Sequence, residues 1–276
     1  MTIAFAGGDA RTVAAVSELI KAGYTVRTFG VPECLEYTGL ARCENIGECF
    51  EGAEAAVLPF PAFRNGRLSS AVINTPPRED EIFGAAKDML VIGGGIGRGE
   101  RREDYSLREE YVSGNAEITA EGAVNVLMNE LKITLNGGRF LVAGYGRIGK
   151  RVAEKLKRLG GGVTVAARSE AARADAAADG FAAAGFESVE APLGRVCAVI
   201  NTVPARVFGM AELASLRRGA IFLELASAPG GADREAAESI GLNYVAAPGL
   251  PGKYAPETAG FLLAETVKSI LRERGI

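Results

Sequence analysis

Phe140-Leu-Val-Ala-Gly144-Tyr145-Gly146-Arg147-Ile148-Gly149, a helical run to Leu159, and then Val163-Thr-Val-Ala-Ala-Arg168-Ser169 decide the fold. An apolar strand runs into Gly-x-Gly-x-x-Gly, a helix follows, and a second strand closes the unit. Each glycine has a separate task. Gly144 permits the tight turn out of the strand, Gly146 lets a pyrophosphate approach the backbone, and Gly149 lets the helix pack close to the strand. The helix N-terminus adds unpaired N–H groups and the positive end of a dipole, and Arg147 and Ile148 open that helix. The same spacing also occurs as a plain strand-to-helix turn. Here strand, glycines, helix and second strand fall in the order that a dinucleotide site requires.

The end of the second strand bears on which dinucleotide binds. An NAD site places an acidic residue there to hold the ribose hydroxyls. This chain has Arg168-Ser169, and a guanidinium and a hydroxyl suit a 2′-phosphate. Arg173 lies within the next helical turn. NADP is therefore expected, with NAD possible, and Glu170 is the residue that speaks for NAD. The alternative for Arg168 is a solvated charge at a strand end.

The chain has 276 residues, enough for two domains. Its 31 basic and 34 acidic residues leave a net charge of −3, which gives no basic surplus for nucleic acid. No apolar run approaches a membrane span, Met1 leads directly into a strand, and a cytosolic protein is expected. Cys34, Cys43, Cys49 and Cys197 have no metal-ligand spacing, so reduced thiols are expected. The chain has no histidine. That removes the commonest general acid–base group and the commonest transition-metal ligand, and any proton transfer falls to other groups or to water.

Upstream, Thr2–Ala6 reads as a strand, Gly7-Gly8-Asp9-Ala10-Arg11 as a turn, Thr12–Ala22 as a helix and Tyr24–Phe29 as the next strand. This is a second Rossmann-like opening whose glycines do not suit a dinucleotide. Arg11 is expected either to grip a substrate carboxylate at the strand end or to be a surface charge, with Asp9 a helix cap. Further strands are expected at Glu54–Pro59 and Met89–Ile92, a helix at Glu79–Ala86, and loop at Gly66–Ala71. Gly93–Gly99 reads as a glycine-rich turn, either simply a flexible turn or one where backbone and Arg98 approach an anion. Glu100–Glu110 reads as a solvated face. Thr119 is expected to cap a helix carrying Glu121, read either as a residue facing a cleft or as an acid suiting the helix dipole.

After the nucleotide motif, Ala171–Ala184 reads as helix. Strands at Val196–Asn201, Ala220–Leu225 and Asn243–Ala247 end in Asn201-Thr202-Val203-Pro204, Ala226-Ser227 and Pro248-Gly249. Pro256–Arg272 is a long amphipathic helix. The expected architecture is α/β: two Rossmann-like doubly wound domains with a cleft between them, at residues 1–118 and 119–255. The helix at 256–276 returns to the first domain.

Gly7-Gly8-Asp9-Ala10-Arg11, the Gly144–Gly149 turn, Ala167-Arg168-Ser169, Asn201-Thr202-Val203-Pro204, Leu225-Ala226-Ser227 with Pro229-Gly230-Gly231, and Ala247-Pro248-Gly249-Leu250-Pro251-Gly252 with Thr258-Ala259-Gly260 together resemble the dipicolinate synthase A subunit, in order and over nearly the whole chain. The nucleotide-binding half is also similar to D-2-hydroxyacid dehydrogenases. Those enzymes use a histidine–carboxylate pair, which a chain without histidine cannot supply. The resemblance implies NADP-dependent oxidation of a cyclic dicarboxylate, dihydrodipicolinate or its hydroxylated precursor, to dipicolinate. It also implies a flavoprotein-like B subunit as partner, an oligomer, and the mother cell of a sporulating bacterium. Asp9, Arg11, Glu121 and Ser227 are then the expected catalytic residues. Gly144, Gly146, Arg147, Ile148, Gly149, Arg168, Ser169, Asn201, Thr202, Val203, Pro204, Ala226 and Pro248 are the expected cofactor contacts, and no metal is expected. A different reading is a nucleotide-binding scaffold whose flavoprotein partner does the redox chemistry. A third is a stand-alone dehydrogenase of another acid.

Overall fold

Two strand–helix–strand openings organise the computed structural model, which describes every residue except 34–37 and 190–192. The first opening is β1 (Thr2–Ala6), α1 (Ala10–Lys21) and β2 (Thr25–Phe29). The chain continues through β3 (Leu40–Arg42), α2 (Ile46–Phe50), β4 (Ala55–Val57), the short hairpin β5 (Phe63–Arg64) and β6 (Arg67–Leu68), α3 (Glu79–Ala85), β7 (Leu90–Gly93) and β8 (Arg102–Asp104). Helix α4 (Glu109–Glu130) leads to the second opening: β9 (Arg139–Ala143), α5 (Arg147–Arg158) and β10 (Gly162–Ala166). Then come α6 (Glu170–Ala178), β11 (Ala182–Ala184), β12 (Ala198–Asn201), α7 (Met210–Ala214), β13 (Ile221–Glu224), α8 (Arg234–Ser239) and β14 (Asn243–Ala246). The described chain closes with α9 (Leu250–Tyr254) and α10 (Pro256–Arg274).

Two compact units result: Met1–Asn115 with Pro251–Ile276, and Ala116–Leu250. Each holds a six-stranded sheet, ordered β3-β2-β1-β4-β7-β8 in the first and β11-β10-β9-β12-β13-β14 in the second. Every pair within both sheets is parallel. Counted within each sheet, both orders are the doubly wound order with its switch point beside the first strand. The sequence cause is visible in β1 and β9. Ile3-Ala4-Phe5-Ala6 and Phe140-Leu141-Val142-Ala143 are buried along their length, as strands covered on both faces must be.

In the first unit, Ile3, Phe5 and Val26 pack against α1 and α10, while Ala4, Leu58 and Val91 pack with α2 and α3 on the other face. Helix α10 lies directly on α1. A Cβ on Gly260 would stand 2.3 Å from Ala14 Cβ and 2.6 Å from the Arg11 carbonyl, so only glycine allows this approach. The last helix thus packs on the first unit and braces the turn that carries Arg11.

Three expectations are corrected. Helix α4 starts at Glu109, ten residues before Thr119, so Thr119 is a buried mid-helix residue and not a cap. Glu100–Glu110 is only in part a solvated face: Glu100, Arg101, Arg102, Glu109 and Glu110 are exposed, but β8 pairs with β7 inside it and Asp104 and Tyr105 are buried with partners for their polar groups. The alanine-rich helix stops at Ala178. Gly180 turns left-handed at φ 78°, and Ala182–Ala184 becomes an edge strand on β10. Alanine content favoured helix there, but the glycine and the open sheet edge won.

Among the described residues, no helix is long and apolar enough to cross a membrane, and no acidic or cysteine cluster could hold a metal ion. Cys43, Cys49 and Cys197 are free thiols, and burial pushes Cys49 far up from its usual range; Cys34 lies outside the described residues.

Candidate functional site

In the second unit the three glycines do three different things. Gly144 sits at φ 91°, and a Cβ there would meet Thr202 Oγ1 at 2.4 Å. A Cβ on Gly149 would stand 2.2 Å from the Gly144 carbonyl oxygen, the mark of a helix pressed onto its strand. Gly146, the N-cap of α5 at φ −81°, has nothing within 4 Å of a Cβ position. Its backbone is ordinary and the space above it is open. A side chain would fill that space, and it is the space a pyrophosphate needs. Arg147 and Ile148 form the first turn of α5, where backbone donors and the helix dipole favour an anion.

A cavity of about 500 Å³ continues from Gly146 along Tyr145, Arg168, Ser169, Phe186 and Val203. Arg168 is exposed on its rim. Ser169 caps α6 by accepting the Ala172 N–H at 3.2 Å, which leaves its own O–H as a donor. Arg173 points elsewhere: its Nη1 donates to the Ala167 and Arg168 carbonyls at 2.9 and 2.7 Å, fixing the strand end that presents Arg168. The residues fit a dinucleotide: an open cradle at a helix start, a cationic rim, and an apolar wall.

Asn201 and Thr202, expected as contacts, brace the loops. Asn201 is fully buried. Its Nδ2 donates to the Val203 carbonyl at 2.9 Å and to Glu224 Oε1 at 2.7 Å, and its Oδ1 accepts the Val203 N–H at 3.1 Å. Thr202 Oγ1 donates to the Ala143 carbonyl at 2.8 Å. Glu224, which no sequence motif marks, is the centre of this network. It also accepts the Ala226 N–H at 2.9 Å, the Gly231 N–H at 2.8 Å and the Tyr244 O–H at 3.3 Å. So Ala226 is held by its backbone, while Ser227, Pro204 and Pro248 are exposed on the loops after β13, β12 and β14. Glu121 is held too, since Lys155 of α5 donates to it at 3.2 Å and also bonds Glu117.

In the first unit, a cavity of about 480 Å³ lies at the carboxyl ends of β1 and β4, the switch point of that sheet. Asp9 and Arg11 line it, with Phe60, Ser69 and the β5–β6 hairpin. Asp9 caps α1 through the Arg11 N–H and also takes the Arg11 guanidinium, with Nε at 2.9 Å and Nη2 at 2.8 Å. Nη2 donates further to the Phe60 carbonyl at 2.9 Å. Burial alone would raise the Asp9 carboxyl, but the hydrogen bonds and charge of Arg11 hold it below the usual carboxylate range. Asp9 is thus the cap the sequence allowed, and Arg11 is not a free surface charge: it is paired with Asp9 and forms part of the cavity wall.

The Gly93–Gly99 turn does not offer its backbone to a ligand. The Gly95 and Gly97 N–H groups donate to Asp104 at 3.1 and 2.9 Å, and Ser106 adds its own N–H and hydroxyl. Burial works against the Asp104 charge, but these bonds win and hold it below the ordinary carboxylate range. Arg98 is exposed and lines neither cavity.

Two doubly wound sheets, one bearing a dinucleotide cradle, define a nicotinamide-nucleotide-dependent dehydrogenase fold. Comparison with known proteins agrees. Residues 110–233 match the NAD-binding domain of D-isomer-specific 2-hydroxyacid dehydrogenases, and residues 2–103 match the N-terminal domain of the dipicolinate synthase A subunit. The chain is 28% identical to the dipicolinate synthase A subunit of Bacillus subtilis (strain 168), over 99% of this chain and 96% of that one. The crystal structure of the Bacillus subtilis A chain superposes with a TM-score of 0.84 at 27% identity, covering 99% of this chain and 96% of that chain. The Bacillus halodurans protein of the same name gives 0.87 at 27% identity, covering 98% and 97%. The resemblance to the dipicolinate synthase A subunit, carried in the sequence by six motifs from Gly7–Arg11 to Ala247–Gly252 with Thr258–Gly260, thus extends over 99% of the chain.

Proposed function

We propose that this chain is an NADP-dependent oxidoreductase that converts dihydrodipicolinate to dipicolinate, working with a flavoprotein-like partner. The observation that carries the reading is the pairing, in one chain without histidine, of an open dinucleotide cradle rimmed by Arg168 with a separate arginine-lined cavity at the switch point of the other sheet. The 2-hydroxyacid dehydrogenases named above oxidise an alcohol, which calls for a strong base at the hydroxyl. Aromatising a dihydropyridine does not: one C–H bond yields a hydride, a second ring proton leaves to water or a weak base, and the aromatic product supplies the driving force. When bound, the nicotinamide supplies the two-electron acceptor. The tasks left to the protein are orientation and charge. In the first unit Arg11 and Asp9 shape the carboxylate site; in the second, the loops braced by Asn201 serve the nucleotide, and Ser227 and Glu121 are the residues assigned to proton transfer.

Glu121 and Asp9 are each engaged by a cation, and this favours a second reading in which the partner flavoprotein takes the electrons and this chain binds nucleotide. Turnover of the full chain with NADP and freshly generated dihydrodipicolinate, with and without the partner, separates them. NADPH formation by the chain alone supports the first reading, and NADPH-independent product that requires the partner supports the second.

The cofactor choice has its own test. Arg168 is exposed at its strand end, so its removal leaves the fold intact. A charge-assisted hydrogen bond is worth about 1.5–3 kcal/mol, or about tenfold to a hundredfold. Arg168→Asp is expected to weaken NADPH binding by at least about tenfold and leave NADH binding equal or tighter, read by fluorescence titration. Tighter NADH than NADPH binding by the unaltered chain would contradict the assignment.

A further inference from the structure

The β5–β6 hairpin turns at Asn65-Gly66, both with positive φ, at 51° and 70°. This is the two-residue turn that an Asn-Gly pair favours. It sets Arg64 directly opposite Arg67 in an antiparallel pair, so both side chains leave the same face of the hairpin. Like charges at such a position oppose folding. The hairpin nevertheless borders the cavity of the first unit, and both arginines line it.

The charges lining this cavity are Asp9, Arg11, Arg64 and Arg67. Asp9 and Arg11 neutralise one another through their paired hydrogen bonds, and Arg11 commits Nη2 to Phe60 as well. The four groups together carry a net charge of +2, with Arg64 close enough to Asp9 to share in its field and Arg67 facing no carboxylate of the lining. Arg67 is steadied by one bond, Nη1 to the Pro76 carbonyl at 2.7 Å. In the wall beside them the Ser69 hydroxyl is buried without a hydrogen-bond partner, an uncommon state for a polar group.

We propose that Arg64 and Arg67, presented together by the Asn65-Gly66 turn, are the residues that select a small dicarboxylate dianion in this cavity. This inference rests on the cavity being the substrate site of the proposed function. The Asp9–Arg11 pair is then a positioning device: it holds the start of α1 and the Phe60 carbonyl, and supplies no net charge to the ligand. A dianion between the two guanidinium groups relieves their repulsion, whereas a monoanion leaves one of them uncompensated.

The test is calorimetric titration of the full chain in metal-free buffer with pyridine-2,6-dicarboxylate and, separately, pyridine-2-carboxylate. The unaltered chain is expected to bind the dicarboxylate at least about tenfold tighter than the monocarboxylate. Arg64→Gln and Arg67→Gln should each weaken the dicarboxylate by about tenfold or more and narrow the gap between the ligands. Their melting temperatures should be unchanged or raised, because a repulsive pair is removed, and NADPH binding should be unaffected. If the unaltered chain prefers the dicarboxylate and both variants keep its full affinity and selectivity, the hairpin assignment is wrong while the dicarboxylate reading stands. If the unaltered chain binds NADPH but neither pyridine ligand, the reading of the cavity as the substrate site fails, and this inference fails with it.

Discussion

Gly146→Val is expected to abolish nucleotide binding while the chain stays folded. The added Cβ meets no protein atom within 4 Å and the backbone, at φ −81°, suits any L-residue. The cost to the fold is the loss of a tolerable helix N-cap, about 1 kcal/mol, which lowers the melting temperature by only about 2–4 °C in a chain of this size. The cost to binding is much larger, because the isopropyl group stands where the pyrophosphate must meet the start of α5. A loss of at least about a hundredfold, about 2.7 kcal/mol, is expected in NADPH titrations. Gly149→Ala should behave in the opposite way. Its methyl carbon would lie 2.2 Å from the Gly144 carbonyl oxygen, so helix and strand must separate and stability falls first. Normal NADPH binding by folded Gly146→Val would mean that the phosphates do not lie at this turn.

Glu224→Ala is expected to destabilise the second unit strongly. The side chain is 6% exposed and receives Asn201 Nδ2, two backbone N–H groups and the Tyr244 hydroxyl. Truncation leaves these donors facing a cavity. A buried donor without a partner costs about 1–3 kcal/mol, and several share this acceptor, so a loss of about 3–5 kcal/mol follows. Gly231 packs against the same amide, since a Cβ there would stand 2.5 Å from Asn201 Cγ, so the loops after β12 and β13 should loosen together. Thermal unfolding of the variant, alongside its NADPH affinity, reads both effects. Glu224→Gln should fall between the two, because its amide keeps one acceptor but presents a donor to another donor. A change under about 1 kcal/mol for Glu224→Ala would show that the network is not what holds these loops.

What the sequence revealed and what it hid have physical causes. The Gly144–Gly149 turn was legible because every glycine answers a local geometric need and the strand before it is a mostly apolar, buried run. The last helix was legible as an amphipathic element because its apolar stripe repeats at helical spacing, but Gly260 as the point of contact with Ala14 was not. Glu224 was invisible: a glutamate at the end of a strand reads as a surface charge, and its four donors come from residues up to 23 positions away. Asp104 was hidden in the same way within a highly charged stretch, and its partners are mostly backbone N–H groups, with the Ser106 hydroxyl, that no pattern announces. Asn201 was read as a cofactor contact from its place at a strand end, and its side chain turns inward to bond Val203 and Glu224. Position at a strand end says that a side chain is near a ligand, not which way it turns. The Arg64-Asn65-Gly66-Arg67 hairpin carried a readable turn signal that the short strands around it obscured.

The proposed function stands or falls on one step, the passage of a hydride from the substrate ring directly to the nucleotide. Dihydrodipicolinate deuterated at its saturated ring carbons tests it in a single turnover with the full chain and NADP, the reduced nucleotide being weighed by mass spectrometry. Direct transfer predicts one deuterium in each NADPH formed, with the partner absent and with it present. Reduced nucleotide carrying only solvent hydrogen, or dipicolinate formed without any NADPH, would contradict it.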